Sequence, residues 1–371
     1  MKKYLKKYYI ETISIVILIV FSLLNMYKAP LLSVKYNNYF IKQIIWFLTG
    51  ILIYLIIYKI KFKTIFKLRY ILYGLNILLL IYVLIFSKST NGIKAWVKIG
   101  PFTLQPSELI KITFPLCTIR LIKNRKYLLS LILFIVPSIL ILLEPDTGNV
   151  ILLFFIYLYL LFNKETKKYI ITFFVSLLII FITSLVIFKY YPNIFINTFN
   201  GSLYYRFKRL FQINKNYQIN NSLIGIGSAS LLPIKINKLL IYIPEGITDF
   251  IFSFSICNYG IILTIFLLIT YFMFIYSILK RYKKGLYYLK KKLIGTFIVV
   301  FTIQSIYNIS MNIGFLPIMG IPLPFISYGG SNIISYFILY SLTTKKISSI
   351  EDKGNNNYKN NYRKVLVGKN S

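Results

Sequence analysis

Apolar runs long enough to cross a bilayer recur from end to end of this 371-residue chain, separated by short polar breaks. At the roughly 20 residues that a helix needs to span the hydrocarbon layer, the pattern predicts about ten helices, near 9–27, 40–58, 69–87, 105–122, 128–143, 149–162, 168–189, 250–279, 293–313 and 324–344. The polar breaks alternate in kind. Lys2, Lys3, Lys6 and Lys7 precede the first helix; Lys59 to Arg69 follow the second; Arg120, Lys123, Arg125 and Lys126 follow the fourth. Lys164, Lys167 and Lys168 follow the sixth, and a dense cluster from Lys280 to Lys292 follows the eighth. Every second loop is therefore short and basic, which places both termini in the cytoplasm. The expectation is an all-α, polytopic helical membrane protein. Residues 1–344 form one transmembrane domain with a large extracytoplasmic loop at about 190–249, before the eighth helix. The polar, Asn-rich stretch 345–371 reads as a disordered cytoplasmic tail.

Composition supports this class. Hydrophobic residues make up 57% of the chain and mean hydropathy is +0.69. The 44 Lys and Arg against nine Asp and Glu would suggest nucleic acid in a soluble domain. Here the cations sit in loops between apolar runs, so they set topology and a nucleic-acid role is excluded. Cys117 and Cys257 fall within predicted spans and read as small packing residues. The N-terminal stretch has a basic start and an apolar core without a small-x-small cleavage site, the pattern of a retained signal anchor.

Histidine is absent, so the usual imidazole bases and metal ligands are missing and carboxylates are the bases left. Five of the nine acids lie in three short motifs: QPSE at 105–108, EPDTG at 144–148 and PEGITDF at 244–250. Charge counting puts all three on the same, non-cytoplasmic side. In PEGITDF, Glu245 and Asp249 are four residues apart, and a helix beginning near Pro244 would present both on one face. Capping of the eighth helix explains one acid; two acids with Thr248 point to function. Glu108 and Lys111 are three apart and within reach on a helix, where a packing ion pair and a direct role in a site both remain open. Turn chemistry, with Asp146 capping the sixth helix, accounts for most of EPDTG. A fourth element, 308–332, breaks the helical pattern with prolines 317, 322 and 324 and glycines 314, 320, 329 and 330. Such backbone is tolerated at membrane depth where it lines a cavity or is buried in protein. Asn308, Asn312, Ser327 and Tyr328 offer neutral hydrogen bonds there, and close packing explains the Gly329–Gly330 pair.

Trp96 with GPFTLQPSELIK, then EPDTG, YQINNSLIGIGS (217–228), YIPEGITDFIF (242–252) and MNIGFLPIMGIPLPFISYGGS (311–331), in this order, resemble the SEDS family of bacterial cell-wall polymerases, which includes FtsW, RodA and SpoVE. The GPFTLQPSE segment and the stretch from Lys238 to Pro244 lean toward FtsW, the division form. The resemblance implies a peptidoglycan glycosyltransferase of the bacterial cytoplasmic membrane, acting on lipid II with a class B penicillin-binding protein and other divisome or elongasome proteins. It implies Asp249 as the catalytic carboxylate, with Glu108 and Lys111 lining the cavity and Glu245 and Asp146 at the family's other acidic positions. The chain departs from the family pattern at Ile247, where His is usual, and at Cys257 and Asn258, where an acidic pair is usual.

The chemistry expected is attack of a GlcNAc 4-hydroxyl on an anomeric carbon carrying undecaprenyl diphosphate. That leaving group needs no general acid, but the hydroxyl proton needs a base. Asp249 is the expected base, with Glu245 or Glu108 orienting it or the acceptor. Arg206, Lys208 and Arg209 in the long loop, or a divalent cation such as Mg2+ or Mn2+, would neutralise the diphosphate. Asp146, Asn312, Ser327 and Tyr328 are the remaining candidates for substrate contact. Two other readings use the same residues: a lipid II flippase, and a non-catalytic scaffold that activates a penicillin-binding protein.

Overall fold

The computed structural model describes residues 2–87, 95–100, 102–162, 217–232, 242–284 and 287–345. Its helices among these residues are α1 (Lys2–Lys28), α2 (Tyr39–Lys59), α3 (Phe62–Phe86), α4 (Pro106–Lys123), α5 (Tyr127–Leu143), α6 (Thr147–Leu161), α7 (Tyr217–Gly227), α8 (Ile251–Lys283), α9 (Tyr288–Asn312) and α10 (Gly330–Thr344). The all-α expectation holds for the bundle. The predicted seventh span at 168–189, most of the long loop and the tail beyond Lys345 lie outside the described residues. Among the described residues, five helical stretches are long and apolar enough to cross a membrane: Tyr8–Leu31, Val34–Lys59, Phe62–Phe86, Ile251–Lys283 and Tyr288–Asn312. α5 and α6 are shorter apolar helices.

The bundle is arranged with its polar helices inside. α4 is buried along almost all of its length, Glu108 and Lys111 included, and packs against α3, α5, α6, α9 and α10. α10 is likewise enclosed, against α2, α4 and α9. The outer helices turn apolar faces outward: Leu48, Leu52 and Leu55 on α2, Ile71, Leu75 and Leu78 on α3, and Ile262, Ile265, Phe266, Ile269 and Phe272 on α8. Exposed aliphatic stripes at helical spacing are costly in water but suit contact with lipid tails. The chain is therefore an integral membrane protein whose polar groups are held by helix–helix contact.

Three departures from the sequence reading have local causes. α3 begins at Phe62 instead of 69, since Lys63, Lys67 and Arg69 are good helix formers and extend the span past its apolar part. α10 begins at Gly330, not 324, because the prolines and glycines of 313–329 keep that segment irregular. A short antiparallel hairpin, β1 (Val97–Ile99) with β2 (Phe102–Leu104), precedes α4, with Ile99 opposite Phe102 and Gly100 at φ +60 in the turn. It rests on α10: Ser331 Oγ donates to Thr103 O at 3.2 Å and accepts from Gln105 N at 2.9 Å.

α8 is interrupted at Gly260, whose φ of +76 is open to glycine at little cost. The amides of Ile261 and Ile262 are freed by the break and donate to Ser230 O and Leu231 O, at 3.0 and 3.2 Å. At the opposite end of α8, Arg281 pairs with Glu11 of α1 at 3.2 Å, and Tyr340 of α10 donates to the same carboxylate oxygen at 2.8 Å. That end is closed by a buried charged network. The other end holds the sequence motifs. Both cysteines are free; Cys117 is buried, and Cys257 packs beside Gly225 of α7.

Candidate active site

QPSE, EPDTG and PEGITDF come together at one end of the bundle. The N-terminal turn of α4 supplies Gln105, Ser107, Glu108 and Lys111. Lys111 Nζ lies 2.6 Å from Glu108 Oε2, and both side chains are almost fully buried. The same oxygen also accepts from Asn332 Nδ2 and Ser335 Oγ of α10, at 3.2 Å each. Asn332 and Ser335 were not singled out by sequence reasoning; their signal was two polar residues three apart, on one face of α10.

Asp146 caps α6, accepting from Asn149 N at 3.1 Å. Its Oδ2 also accepts from Gln105 Nε2 at 2.8 Å, Ser107 Oγ at 3.1 Å and Asn149 Nδ2 at 2.8 Å. The capping expected for this residue is present, but Gln105 and Ser107 of α4 add to it, so Asp146 ties two motifs together. Burial pushes its carboxyl upward, with the Asn149 hydrogen bonds opposing. Neighbouring Glu144 is wholly buried, and burial followed by the charge of Asp146 pushes it up to about 9. It stays protonated at neutral pH and is no base there.

PEGITDF corrects an expectation: residues 244–250 are a compact turn, and no helix starts at Pro244. Pro-Glu-Gly favours turns and the Thr248 hydroxyl competes for backbone groups. The amides of Thr248 and Phe250 both donate to Glu245 O, at 3.1 and 3.0 Å, and Thr248 Oγ1 donates to Glu245 Oε2 at 3.0 Å. Glu245 has φ +52, a strained conformation for a residue with a side chain. The two acids thus do not share a helix face, although they remain electrostatic neighbours.

Asp249 ends this turn, half-buried and ahead of the α8 span. Desolvation, then the charges of Glu245 and Asp146, push its carboxyl up to about 7. Since Glu108 in turn acts on Asp146, the acids of all three motifs form one connected field. A methyl group placed on Gly320 would sit 3.8 Å from Asp249 Oδ2, so the 313–329 segment runs beside the carboxylate. The same segment reaches EPDTG, where Gly148 lets the Met319 carbonyl approach the start of α6.

The residues read from sequence as neutral hydrogen-bonding groups serve this turn directly. Asn308 Nδ2 and Asn312 Nδ2 both donate to Asp249 O, at 2.8 and 3.0 Å. Asn312 Oδ1 accepts from Ser253 N at 3.0 Å and Ser253 Oγ at 2.6 Å. Ser327 Oγ donates to Thr248 O at 2.6 Å, and Tyr328 N donates to Ile247 O at 2.8 Å. Ile247 is buried and uses its carbonyl, while Asn258 bonds within its own helix, to Phe254 O. Gly330 packs its backbone against Trp46 of α2, as close packing at the Gly pair requires. Arg206, Lys208 and Arg209 lie outside the described residues. Among the described residues, no three His, Cys, Asp or Glu side chains cluster closely enough to hold a metal ion.

Replacing Asn312 by Leu is expected to lower stability by about 1–3 kcal/mol for each buried polar group it orphans. The group orphaned is Ser253 N, while Asp249 O loses one of its two donors and keeps Asn308. Thermal unfolding in detergent checks this; an unchanged midpoint would show that the amide clamp carries no weight.

Residues 5–350 match the family model described as cell cycle protein, FtsW/RodA/SpoVE. The chain is 32% identical to the probable peptidoglycan glycosyltransferase FtsW of Wigglesworthia glossinidia brevipalpis, over 91% of this chain and 93% of that protein. It is 27% identical to the peptidoglycan glycosyltransferase MrdB of Helicobacter pylori, over 89% and 91%. Its fold matches a chain from the structural study of polymerization and crosslinking by a peptidoglycan synthase complex, with a TM-score of 0.74 at 20% identity over 90% and 95% of the two chains. The crystal structure of Thermus thermophilus rod shape determining protein RodA matches with a TM-score of 0.63 at 21% identity, over 90% and 94%. The motifs, the bundle and these matches agree: the chain belongs to the FtsW/RodA/SpoVE family.

Proposed function

We propose that this protein is a peptidoglycan glycosyltransferase that polymerises lipid II into glycan strands, with Asp249 as its general base. The observation that carries the reading is the connected acidic field of Asp249, Asp146 and Glu108, built by three motifs distant in sequence, at one end of a membrane bundle of this family. The acceptor's GlcNAc 4-hydroxyl attacks the anomeric carbon of the growing strand. The bond to the diphosphate breaks, undecaprenyl diphosphate leaves with the electron pair, and the hydroxyl proton passes to Asp249. A single displacement inverts the anomeric centre. Desolvation, followed by the charges of Glu245 and Asp146, keeps Asp249 basic, while the amides of Asn308 and Asn312 fix its backbone without consuming its carboxylate. The protein sits in the bacterial cytoplasmic membrane with this site on the outer face, working beside a class B penicillin-binding protein.

The test is polymerisation of labelled lipid II by the purified chain with its penicillin-binding partner, under moenomycin to silence polymerases of the other class. Glycan ladders are expected; none from folded protein with the partner present would overturn the reading in favour of a flippase or scaffold.

The pH profile adds a second readout. With Asp249 held up at about 7, the base is protonated and inactive below that value, so the initial rate should climb as pH rises through about 7. Glu245→Gln removes a negative neighbour, lowers the Asp249 value and moves this limb to lower pH. A limb near the usual carboxylate range, or one that does not move in the Gln variant, would sink the assignment.

A further inference from the structure

The segment joining α1 to α2 carries chemistry that the mechanism above leaves unused. Residues 34–43, VKYNNYFIKQ, hold two cations and three aromatic side chains. Tyr36 is buried and meets the ring of Tyr39 edge-on at 5.0 Å; the Tyr39 ring in turn lies 4.3 Å from that of Tyr328. Lys35 Nζ stands 4.8 Å from the centre of the Tyr36 ring, and Lys42 Nζ 5.2 Å from that of Tyr39. Two ammonium groups are thus held along a row of three rings, a geometry stabilised by the rings' negative faces.

The row leads to the base. Tyr328 is the residue whose amide donates to Ile247 O, two positions before Asp249, and Gln43 Nε2 reaches Ser327 O at 3.3 Å. Glu245 lies within electrostatic reach of both Lys35 and Tyr39. Lys35 is exposed and Lys42, Tyr39 and Tyr328 are half-buried, so the row is accessible. The ion pairs among the described residues are Lys111–Glu108 and Arg281–Glu11, so neither Lys35 nor Lys42 is in a direct ion pair with a described carboxylate.

We propose that Lys35 and Lys42, with Tyr39 and Tyr328 between them, bind the diphosphate and first sugar of a lipid-linked substrate. Two ammonium charges match a diphosphate as point-charge donors. The tyrosine faces offer rigid apolar surface to a sugar ring and their hydroxyls offer it hydrogen bonds. The position fits as well: the row starts at the N-terminal end of the α2 span and ends at the Asp249 turn, so a polyprenyl tail can stay in the bilayer while the sugar approaches the base. The proposal rests on the polymerase reading, but its test does not need turnover.

The experiment measures binding of undecaprenyl diphosphate to the full-length chain in nanodiscs of zwitterionic lipid. Competing arms contain undecaprenyl monophosphate, inorganic pyrophosphate and phosphatidylglycerol. Wild type should bind the diphosphate more tightly than the monophosphate. The Lys35→Ala/Lys42→Ala double variant should bind it about tenfold or more weakly, as expected when charge-assisted contacts are lost, and should lose the discrimination. Lys35→Arg/Lys42→Arg keeps both charges and should retain binding, which separates charge from folding. Three results would overturn the site: no binding by wild type, equal binding by the alanine variant, or equal loss in both variants. Displacement by phosphatidylglycerol as effective as by unlabelled undecaprenyl diphosphate would also overturn it, as the lysines would then be meeting ordinary headgroups. Displacement by inorganic pyrophosphate as effective as by unlabelled undecaprenyl diphosphate would overturn the lipid part of the assignment. Lysine-dependent binding without glycan ladders would instead sink the polymerase reading and leave the site standing.

Discussion

Asp249→Asn stops glycan polymerisation while leaving the bundle folded. The side chains differ by one protonatable oxygen, and the fold makes little use of that oxygen. What holds the turn is the Asp249 backbone carbonyl, clamped by Asn308 and Asn312, together with the contacts of Ser327 to Thr248 and Tyr328 to Ile247. None of these is lost in the amide. The substitution also removes a charge from a crowded acidic field, so the unfolding temperature should hold or rise slightly. The chemistry has no such tolerance: an amide cannot take the acceptor's proton, and loss of a positioned general base costs about 10²–10⁴-fold in rate. Ladder yield and initial rate are measured beside thermal unfolding of the same preparation. Near-normal polymer from a folded Asn variant would remove Asp249 from the mechanism.

The sequence carried the membrane class, most helix positions and the acidic motifs because each is written in local pattern. Apolar length marks spans, and nine acids among 44 cations make every carboxylate conspicuous. The Glu108–Lys111 pair was legible from its spacing and Asp146 from its place before an apolar run. What was not legible depends on contacts between distant segments. Nothing in PEGITDF announces that its carbonyls will be clamped by α9 and the 313–329 segment, so a local reading starts a helix at Pro244 where the folded chain makes a turn. The partners of Asp146 at Gln105 and Ser107, and of Glu108 at Asn332 and Ser335, were equally hidden: each is an ordinary polar residue until α4 is set against α6 and α10. Lys35 and Lys42 escaped notice because forty-two other cations surround them in the composition and only the stacked tyrosines distinguish them.

Lys111→Met is expected to be among the most destabilising single changes in the protein. Lys111 and Glu108 are almost fully buried, and removing the cation strands Glu108 in a low-dielectric interior without its ion-pair partner, with Asn332 and Ser335 still donating to it. Breaking a buried pair from one side costs about 3–5 kcal/mol. Replacing both partners by neutral groups of similar shape removes the stranded charge. The double variant Glu108→Gln/Lys111→Met should therefore recover most of the lost unfolding temperature. Its activity decides between the two roles open for this pair. A pair that serves packing alone would leave the double variant polymerising at nearly the wild-type rate. Two features argue for a further role. Among the described residues, buried Lys111 Nζ meets Glu108 alone, so it has donors to spare. Glu108 also acts on Asp146, and Asp146 on Asp249, so neutralising it changes the field at the base. The double variant is expected to be stable yet at least about tenfold slower, the order that one lost charge-assisted contact produces. Recovery of both stability and rate would assign the pair to packing and confine the chemistry to Asp249 and its immediate neighbours.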